Sequence, residues 1–274
     1  MIIVDAQIHL WEPSRPDRPW DTTKKPHLPE PLTLERCVAT LDEAGVQKAV
    51  LVTPVLLGYN NDYQLEAARR YPDRFTVMGR FDATAPDASE QLDRWLDEPA
   101  MSGLRLSMHE EPWYSWIDNG TLDWFWPRAE ALNVPVKVYL PGRGDLVAPI
   151  AERYPGITFF VDHMATKAEE AEPFAPLYKT LGLAKYPKVY VNVTALPVAS
   201  KEPYPFKDTY EPLRRVYDAF GPQRMLWGTD YSRMRVPYRQ AVDHFLEAVD
   251  FLSADDLEWI MGKTALATHR WQTK

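Results

Sequence analysis

The sequence predicts a single α/β domain, a (β/α)8 barrel with long loops at the C-terminal face of its strands. Three observations carry this. Eight stretches have strand character, helical stretches fall between them in strict alternation, and the chain has 274 residues, close to the ~250 typical of that barrel. Strict βα alternation means parallel strands joined by crossover helices, and eight such units close into a barrel. A doubly wound open sheet is the rival topology. It would advertise a glycine-rich phosphate loop after the first strand, and Gln7-Ile8-His9-Leu10-Trp11 is nothing like one. No low-complexity segment or composition shift marks a boundary, so residues 1–274 read as one domain.

The first strand lies within Val4–Trp11. Side chains alternate faces along a strand. Ile2, Val4, Ala6, Ile8 and Leu10 therefore share one face, and Ile3, Asp5, Gln7 and His9 the other. The second face turns polar toward its end with a carboxylate, an amide and an imidazole, which suits a strand opening into a pocket. A loop with six prolines follows, from Glu12 to Leu32; long ordered loops are often functional. Thr33 caps a helix running to Ala44, with Gly45 as its stop.

Further strands are expected at Gln47–Thr53, Phe75–Asp82, Ser102–Ser107, Val134–Leu140, Ile157–His163, Lys188–Thr194 and Arg224–Asp230. The intervening helices are expected at Asn61–Tyr71, Pro86–Leu96, Leu122–Leu132, Leu146–Tyr154, Thr209–Phe220 and Tyr238–Leu252. Glu169–Leu183 is expected to be partly helical, interrupted by Pro173 and Pro176. Ser253 caps a final helix, with Asp256 three positions on as its capping-box partner. Two aromatic loops, around Trp113–Trp116 and Ala195–Tyr204, sit where they would cover a pocket.

Composition narrows the function class. The formal net charge of −8 argues against a nucleic-acid partner, which calls for a basic face. No run of about 18 apolar residues is present to span a bilayer, and the N-terminus shows no basic, then apolar, signal-peptide pattern. A single cysteine, Cys37, excludes an internal disulfide and fits a reducing cytoplasm; its place in a helix reads as core. No G-x-S-x-G elbow, P-loop or Cys-x-x-Cys motif occurs, and Pro141-Gly142-Arg143-Gly144 reads as a turn. The expected partner is a small molecule, and a homodimer is compatible with the exposed loop aromatics.

In this barrel the active site lies at the C-terminal ends of the strands. Those ends carry Gln7, His9, Arg80, Arg105, Ser107, Lys137, Tyr139, His163, Asn192 and Asp230. A buried charge costs several kcal/mol unless paired or solvated, so stability alone does not favour such a gathering. For Arg80 an internal salt bridge is the preferred reading. For Arg105 it is recognition of a substrate carboxylate, which a planar guanidinium binds bidentately. Of the loop and helix histidines, His27, His109, His244 and His269, only His109 is expected near the site.

The motifs Asp5-Ala6-Gln7-Ile8-His9-Leu10-Trp11, Val161-Asp162-His163-Met164, Leu226-Trp227-Gly228-Thr229-Asp230-Tyr231 and Ile260-Met261-Gly262-Lys263-Thr264-Ala265 resemble, in order, the strand-1, strand-6, strand-8 and terminal-helix motifs of the amidohydrolase-related (amidohydrolase 2) family. The resemblance spans Asp5 to about Trp271. Its zinc-binding members use two strand-1 histidines, a histidine ending strand 5 and the strand-8 aspartate. Here Gln7 and Tyr139 stand at two of those positions, and His9, His163 and Asp230 remain. Glutamine is a poor zinc ligand. Tyrosine at the end of strand 5 resembles the pyrone-dicarboxylate and sugar-acid lactonase branch, some of whose members work without metal.

That resemblance implies a hydrolase opening a small, carboxylate-bearing lactone or cyclic ester without a cofactor. Asp230 would activate water, His163, His9 and Tyr139 would bind the carbonyl oxygen, and Gln7, Arg105, Trp11, Lys137, His109 and Trp113 would bind or orient the substrate. One rival is a metal-dependent decarboxylase or amide hydrolase with a zinc ion among His9, His163 and Asp230. Another is an inactive barrel that only binds a ligand.

Overall fold

The strands are short runs rich in valine, leucine and phenylalanine, bounded by turns. The computed structural model describes residues 1–272 and forms them at β1 (Val4–Ile8), β2 (Lys48–Val52), β3 (Phe75–Arg80), β4 (Met101–Ser107), β5 (Val136–Tyr139), β6 (Phe159–Val161), β7 (Val189–Thr194) and β8 (Met225–Gly228). Each is parallel to the next, in sequence order, within one eight-stranded sheet. The expected eight-fold βα barrel is therefore the fold.

An outer apolar layer joins strands to helices, and a smaller cluster of Val4, Ala6, Val50, Val52, Met78, Phe160 and Leu226 packs with Ala265. After the last helix the chain returns beneath the barrel: His269 stacks on Phe160 at 4.5 Å and the Arg270 amide donates to Ser102 Oγ at 2.9 Å. Apolar side chains thus close one end and leave the polar strand termini at the other.

The helix at Leu34–Ala44 forms where expected. Thr33 caps it, Gly45 closes it at φ +72°, and Leu34, Cys37, Leu41 and Ala44 are its buried residues, the three-and-four spacing of a helix face. Several expected helices are shorter: Pro86–Leu96 is α-helical only over Ala88–Asp93 and Leu122–Leu132 only over Phe125–Ala131. Between Glu169 and Leu183 the α-helix covers only Leu177–Leu181, beyond the interrupting prolines. The one beginning at Tyr238 is α-helical to Asp243 and then widens into a π-turn over His244–Ala248. The Ser253–Asp256 capping box is present. None of the helices is long and apolar enough to cross a membrane among the described residues.

One expectation is corrected in β1. Asp5, Gln7 and His9 do not share a face. The register with β2 runs Asp5↔Ala49 and then Ile8↔Leu51, three steps against two. An extra residue in one strand is a bulge, and it changes which way later side chains point. Asp5 meets Tyr238 of the Tyr238–Asp243 helix, while Gln7 meets Lys137 of β5 across the barrel and His9 meets Asp230 beyond the neighbouring β8.

The bulge lies at the seam where the barrel closes. The Asp230 amide donates to the Gln7 carbonyl at 3.0 Å, and Asp5 Oδ1 takes the Thr229 amide at 3.0 Å. A side chain here accepts a backbone hydrogen that a strand carbonyl would otherwise take. The approach requires glycine at position 228, where a Cβ would stand 2.7 Å from Asp5 Oδ1 and 2.9 Å from the Ala6 amide nitrogen.

Candidate active site

At the polar end, the chain turns sharply out of two strands. His163 after β6 has φ +50°, and so has Asp230 after β8. For residues with a Cβ this left-handed conformation costs about 1–2 kcal/mol, and such strain collects at functional sites. The two turns bring His163 and Asp230 together with His9 from the end of β1. Asp230 Oδ1 lies 3.4 Å from His9 Nε2, and Oδ2 lies 3.7 Å from His163 Nε2. All three side chains are buried, yet neither Asp230 oxygen has a hydrogen-bond partner among the described residues. A buried carboxylate without hydrogen-bond partners is uncommon in a folded protein.

The far nitrogens of the two rings are anchored. His9 Nδ1 donates to the Val52 carbonyl at 2.7 Å, and His163 Nδ1 is paired with Thr194 Oγ1 at 2.7 Å. Burial pushes His9 down to about 4 and also lowers His163. Burial would raise Asp230, but the flanking His9 and His163 and the Arg233 guanidinium outweigh it and hold the carboxyl below its ordinary value. Near neutral pH the centre is an ionised carboxylate between two neutral imidazoles.

A cavity of about 320 Å³ opens above this group. Of the residues singled out from sequence, His9, Trp11, Arg105, His109, Tyr139, His163 and Asp230 line it. Arg105 makes an internal ion pair and also borders the cavity. Its Nε donates to Asp162 at 2.7 Å and its Nη1 to Ser107 Oγ at 3.1 Å, while the guanidinium stacks on Tyr139 at 4.9 Å and borders the cavity. His109 lies between Tyr139 and Trp113, with ring centroids at 5.2 and 5.9 Å. Burial, with Arg105 nearby, drives it down to about 4.

Three residues expected to touch substrate are placed elsewhere. Gln7 and Lys137 are fully buried beneath the cavity and do not line it. Lys137 Nζ donates to Gln7 Oε1 at 2.8 Å and to the Ala6 carbonyl at 2.9 Å. Trp113 stands behind His109 and donates from Nε1 to the Tyr59 hydroxyl at 2.7 Å. Arg80 makes no salt bridge among the described residues. It donates to the Gly58 carbonyl at 2.8 Å and lies between the Tyr59 and Trp113 rings.

Arg233, His27, Lys24 and Glu169 line the cavity without having been expected there. Arg233 follows Asp230 by three residues, faces both Asp230 and Tyr139, and pairs with Glu169 at 2.5 Å. Its closeness to a strand end was the usable signal. His27, on the proline-rich segment, corrects the expectation that only His109 would join the site. Its Nδ1 pairs with Ser232 Oγ at 3.0 Å and its ring meets His9 edge-on at 6.5 Å. That segment folds across the mouth, where the Asp21 amide donates to the Leu56 carbonyl at 2.8 Å and Lys24 pairs with Glu110.

Two donors of the zinc set used by the family's metal-binding members, a strand-1 and a strand-5 histidine, are replaced here by Gln7 and Tyr139. Among the described residues no group of three or more His, Cys, Asp or Glu side chains is disposed to hold a metal ion. Gln7 stands where a second strand-1 imidazole would bind, with the Lys137 ammonium directly behind it. A fixed cation there opposes a dication electrostatically.

The sequence model of the family described as Amidohydrolase matches residues 4–271. The chain is 24% identical over 239 residues to an L-fucono-1,5-lactonase of Burkholderia ambifaria, covering 85% of this chain and 81% of that one. It is 24% identical over 230 residues to a 4-sulfomuconolactone hydrolase of Hydrogenophaga intermedia, covering 83% and 73%. Among solved structures, a probable 2-pyrone-4,6-dicarboxylic acid hydrolase of Acinetobacter baumannii, with citric acid bound, superposes with a TM-score of 0.80 at 19% identity, covering 98% of this chain and 99% of that one.

Proposed function

The chain belongs to the amidohydrolase family, and we propose that within it this protein is a hydrolase that opens a small lactone without a resident metal. The observation that carries the reading is Asp230, buried and ionised, with two unpartnered oxygens at the floor of a cavity. Two relatives whose names end on lactone hydrolysis, at 24% identity, support the substrate class. The single cysteine, Cys37, buried with its thiol pushed up by desolvation, suits a reducing cytoplasm.

The chemistry balances on these residues alone. Asp230 takes a proton from water while the water oxygen bonds to the lactone carbonyl carbon. The carbonyl π electrons move onto oxygen. When they return, the ring carbon–oxygen bond breaks and the leaving oxygen takes the proton from Asp230, giving a hydroxy acid. A base so placed contributes about 10²–10⁴-fold.

The oxyanion is served by the Tyr139 hydroxyl, the Arg105 guanidinium and the His163 ring, which is anchored by the pairing of its Nδ1 with Thr194 Oγ1. Donors of this kind are each worth roughly 3 kcal/mol in the transition state. His9 is not among them, because its N–H is committed to Val52. Arg105 and Arg233 provide the positive field for a carboxylate on the substrate.

The test is elemental analysis of the purified protein together with hydrolysis of a panel of sugar-acid and unsaturated lactones, with and without chelator. Ring opening that is insensitive to chelator is expected. A stoichiometric divalent ion whose removal abolishes activity overturns the metal-free reading, and a panel left wholly untouched overturns the lactonase reading.

A further inference from the structure

Lys137 is buried to 0% exposure beneath the cavity. A buried ammonium costs several kcal/mol unless it is paired. Asp162 is its nearest carboxylate, but at 3.5 Å, and that carboxylate spends its short bond on Arg105. The short bonds of Lys137 go instead to the Ala6 carbonyl and to Gln7 Oε1. A purely structural ion pair does not need that arrangement.

Its consequence follows from donor and acceptor counting. An ammonium only donates, so Gln7 turns its oxygen to Lys137 and its NH2 group away. The NH2 group faces His9, with Gln7 Nε2 at 3.4 Å from His9 Nε2. The other ring nitrogen, Nδ1, faces the Val52 carbonyl, which only accepts, and so carries the hydrogen. A ring nitrogen facing an amide N–H presents its lone pair.

We propose that Lys137 is a positioning residue: acting through Gln7, and together with the Val52 carbonyl at Nδ1, it keeps hydrogen off His9 Nε2, so that no N–H is set against the Asp230 carboxylate. Only the effect on rate rests on the lactone-opening reading. If the Gln7 amide turned over, its oxygen would draw a hydrogen onto His9 Nε2. That hydrogen would also face Asp230 Oδ1 at 3.4 Å, and the base would be closed by its own neighbour. With Lys137 in place, the single Nε2 lone pair faces the Gln7 NH2 group, and Asp230 Oδ1, with no N–H set against it, is left to take the proton of a water.

The test uses the whole protein labelled with ¹⁵N-histidine, without substrate, with the His9 signals identified by their loss in His9→Asn. In the wild type at neutral pH, Nδ1 should be protonated and Nε2 bare. Gln7→Glu is nearly isosteric, still accepts from Lys137, and presents an oxygen to His9. It should move Nε2 into the protonated range and lower kcat by about tenfold or more, as expected for a disabled base, with KM within about threefold. Lys137→Met should shift the same signal if it folds; Gln7→Glu decides the matter if it does not. An unchanged Nε2 signal in Gln7→Glu overturns the relay, and a shifted signal with unchanged kcat overturns its role in the reaction. The spectrum is read without turnover, so failure to find a lactone substrate leaves this result standing by itself.

Discussion

Two aspartates, Asp5 and Asp230, lie on opposite sides of the β1–β8 seam, and both are buried to 1% exposure or less. Asp5 accepts from the Gln7 amide at 2.9 Å, the Thr229 amide at 3.0 Å, Thr229 Oγ1 at 2.5 Å and the Tyr238 hydroxyl at 2.6 Å. The Asp230 carboxylate accepts from nothing among the described residues. Burial alone therefore does not distinguish the two carboxylates; partner saturation does. Asp5 spends its lone pairs closing the barrel, while those of Asp230 are left unpaired beneath the cavity.

Asp230→Asn is the sharpest way to break the comparison. It should lower kcat by about 10²–10⁴-fold, the range for loss of a general base, while leaving the denaturation midpoint within error. Removing the charge relieves desolvation but also forfeits the field that holds the carboxyl below its ordinary value, and no hydrogen bond is lost. Steady-state kinetics beside urea denaturation checks both halves. A variant of near-normal activity would remove Asp230 from the reaction, and a large loss of stability would give it a structural role.

Asp5→Ala should show the reverse pattern. It strips the acceptor from two buried amides and two hydroxyls, and an unsatisfied buried donor costs about 1–3 kcal/mol. A loss on the order of 3 kcal/mol in unfolding free energy is expected from denaturant titration, with the kcat of the folded fraction close to wild type. A catalytic collapse without destabilisation would mean that the two aspartates share one function.

How much of this contrast could be read beforehand depends on what periodicity encodes. Alternation gives the face of a strand, so Arg105 and Tyr139 are found on the cavity side as expected, whereas His163 and Asp230 reach it through turns just past the ends of β6 and β8. It does not give height along the barrel. Lys137 and Tyr139 share a face of β5, but one side chain reaches down to Gln7 and the other borders the cavity. Nor does alternation survive a bulge, which separates Asp5 from Gln7 and His9 in β1. Residues delivered by irregular chain carry no periodic signal. His27 enters from the proline-rich segment, and Arg233 from the turn after β8.

The pH dependence of stability gives the finest distinction between the two carboxylates. Burial raises Asp5 to about 6 against the opposing pull of its four donors, whereas Asp230 is held below its ordinary value. From an unfolded value near 4, the native state binds the Asp5 proton more tightly throughout the interval from about 4 to about 6. Stability from this group is therefore fully present below pH 4, falls as pH rises to 6, and is flat above. A rise of that size corresponds to at most about 3 kcal/mol. Asp230 acts with the opposite sign, and its contribution is lost only as pH falls below the ordinary aspartate range. Subtracting the unfolding free energies of Asp5→Ala from wild type at pH 4, 5, 6 and 7 isolates the first effect. The difference should shrink between pH 4 and 6, as the native carboxyl gives up its proton, and then hold steady to pH 7. A difference that grows with pH across that interval would show that hydrogen bonding, not burial, governs Asp5, and that the carboxylate closing the seam is ionised throughout.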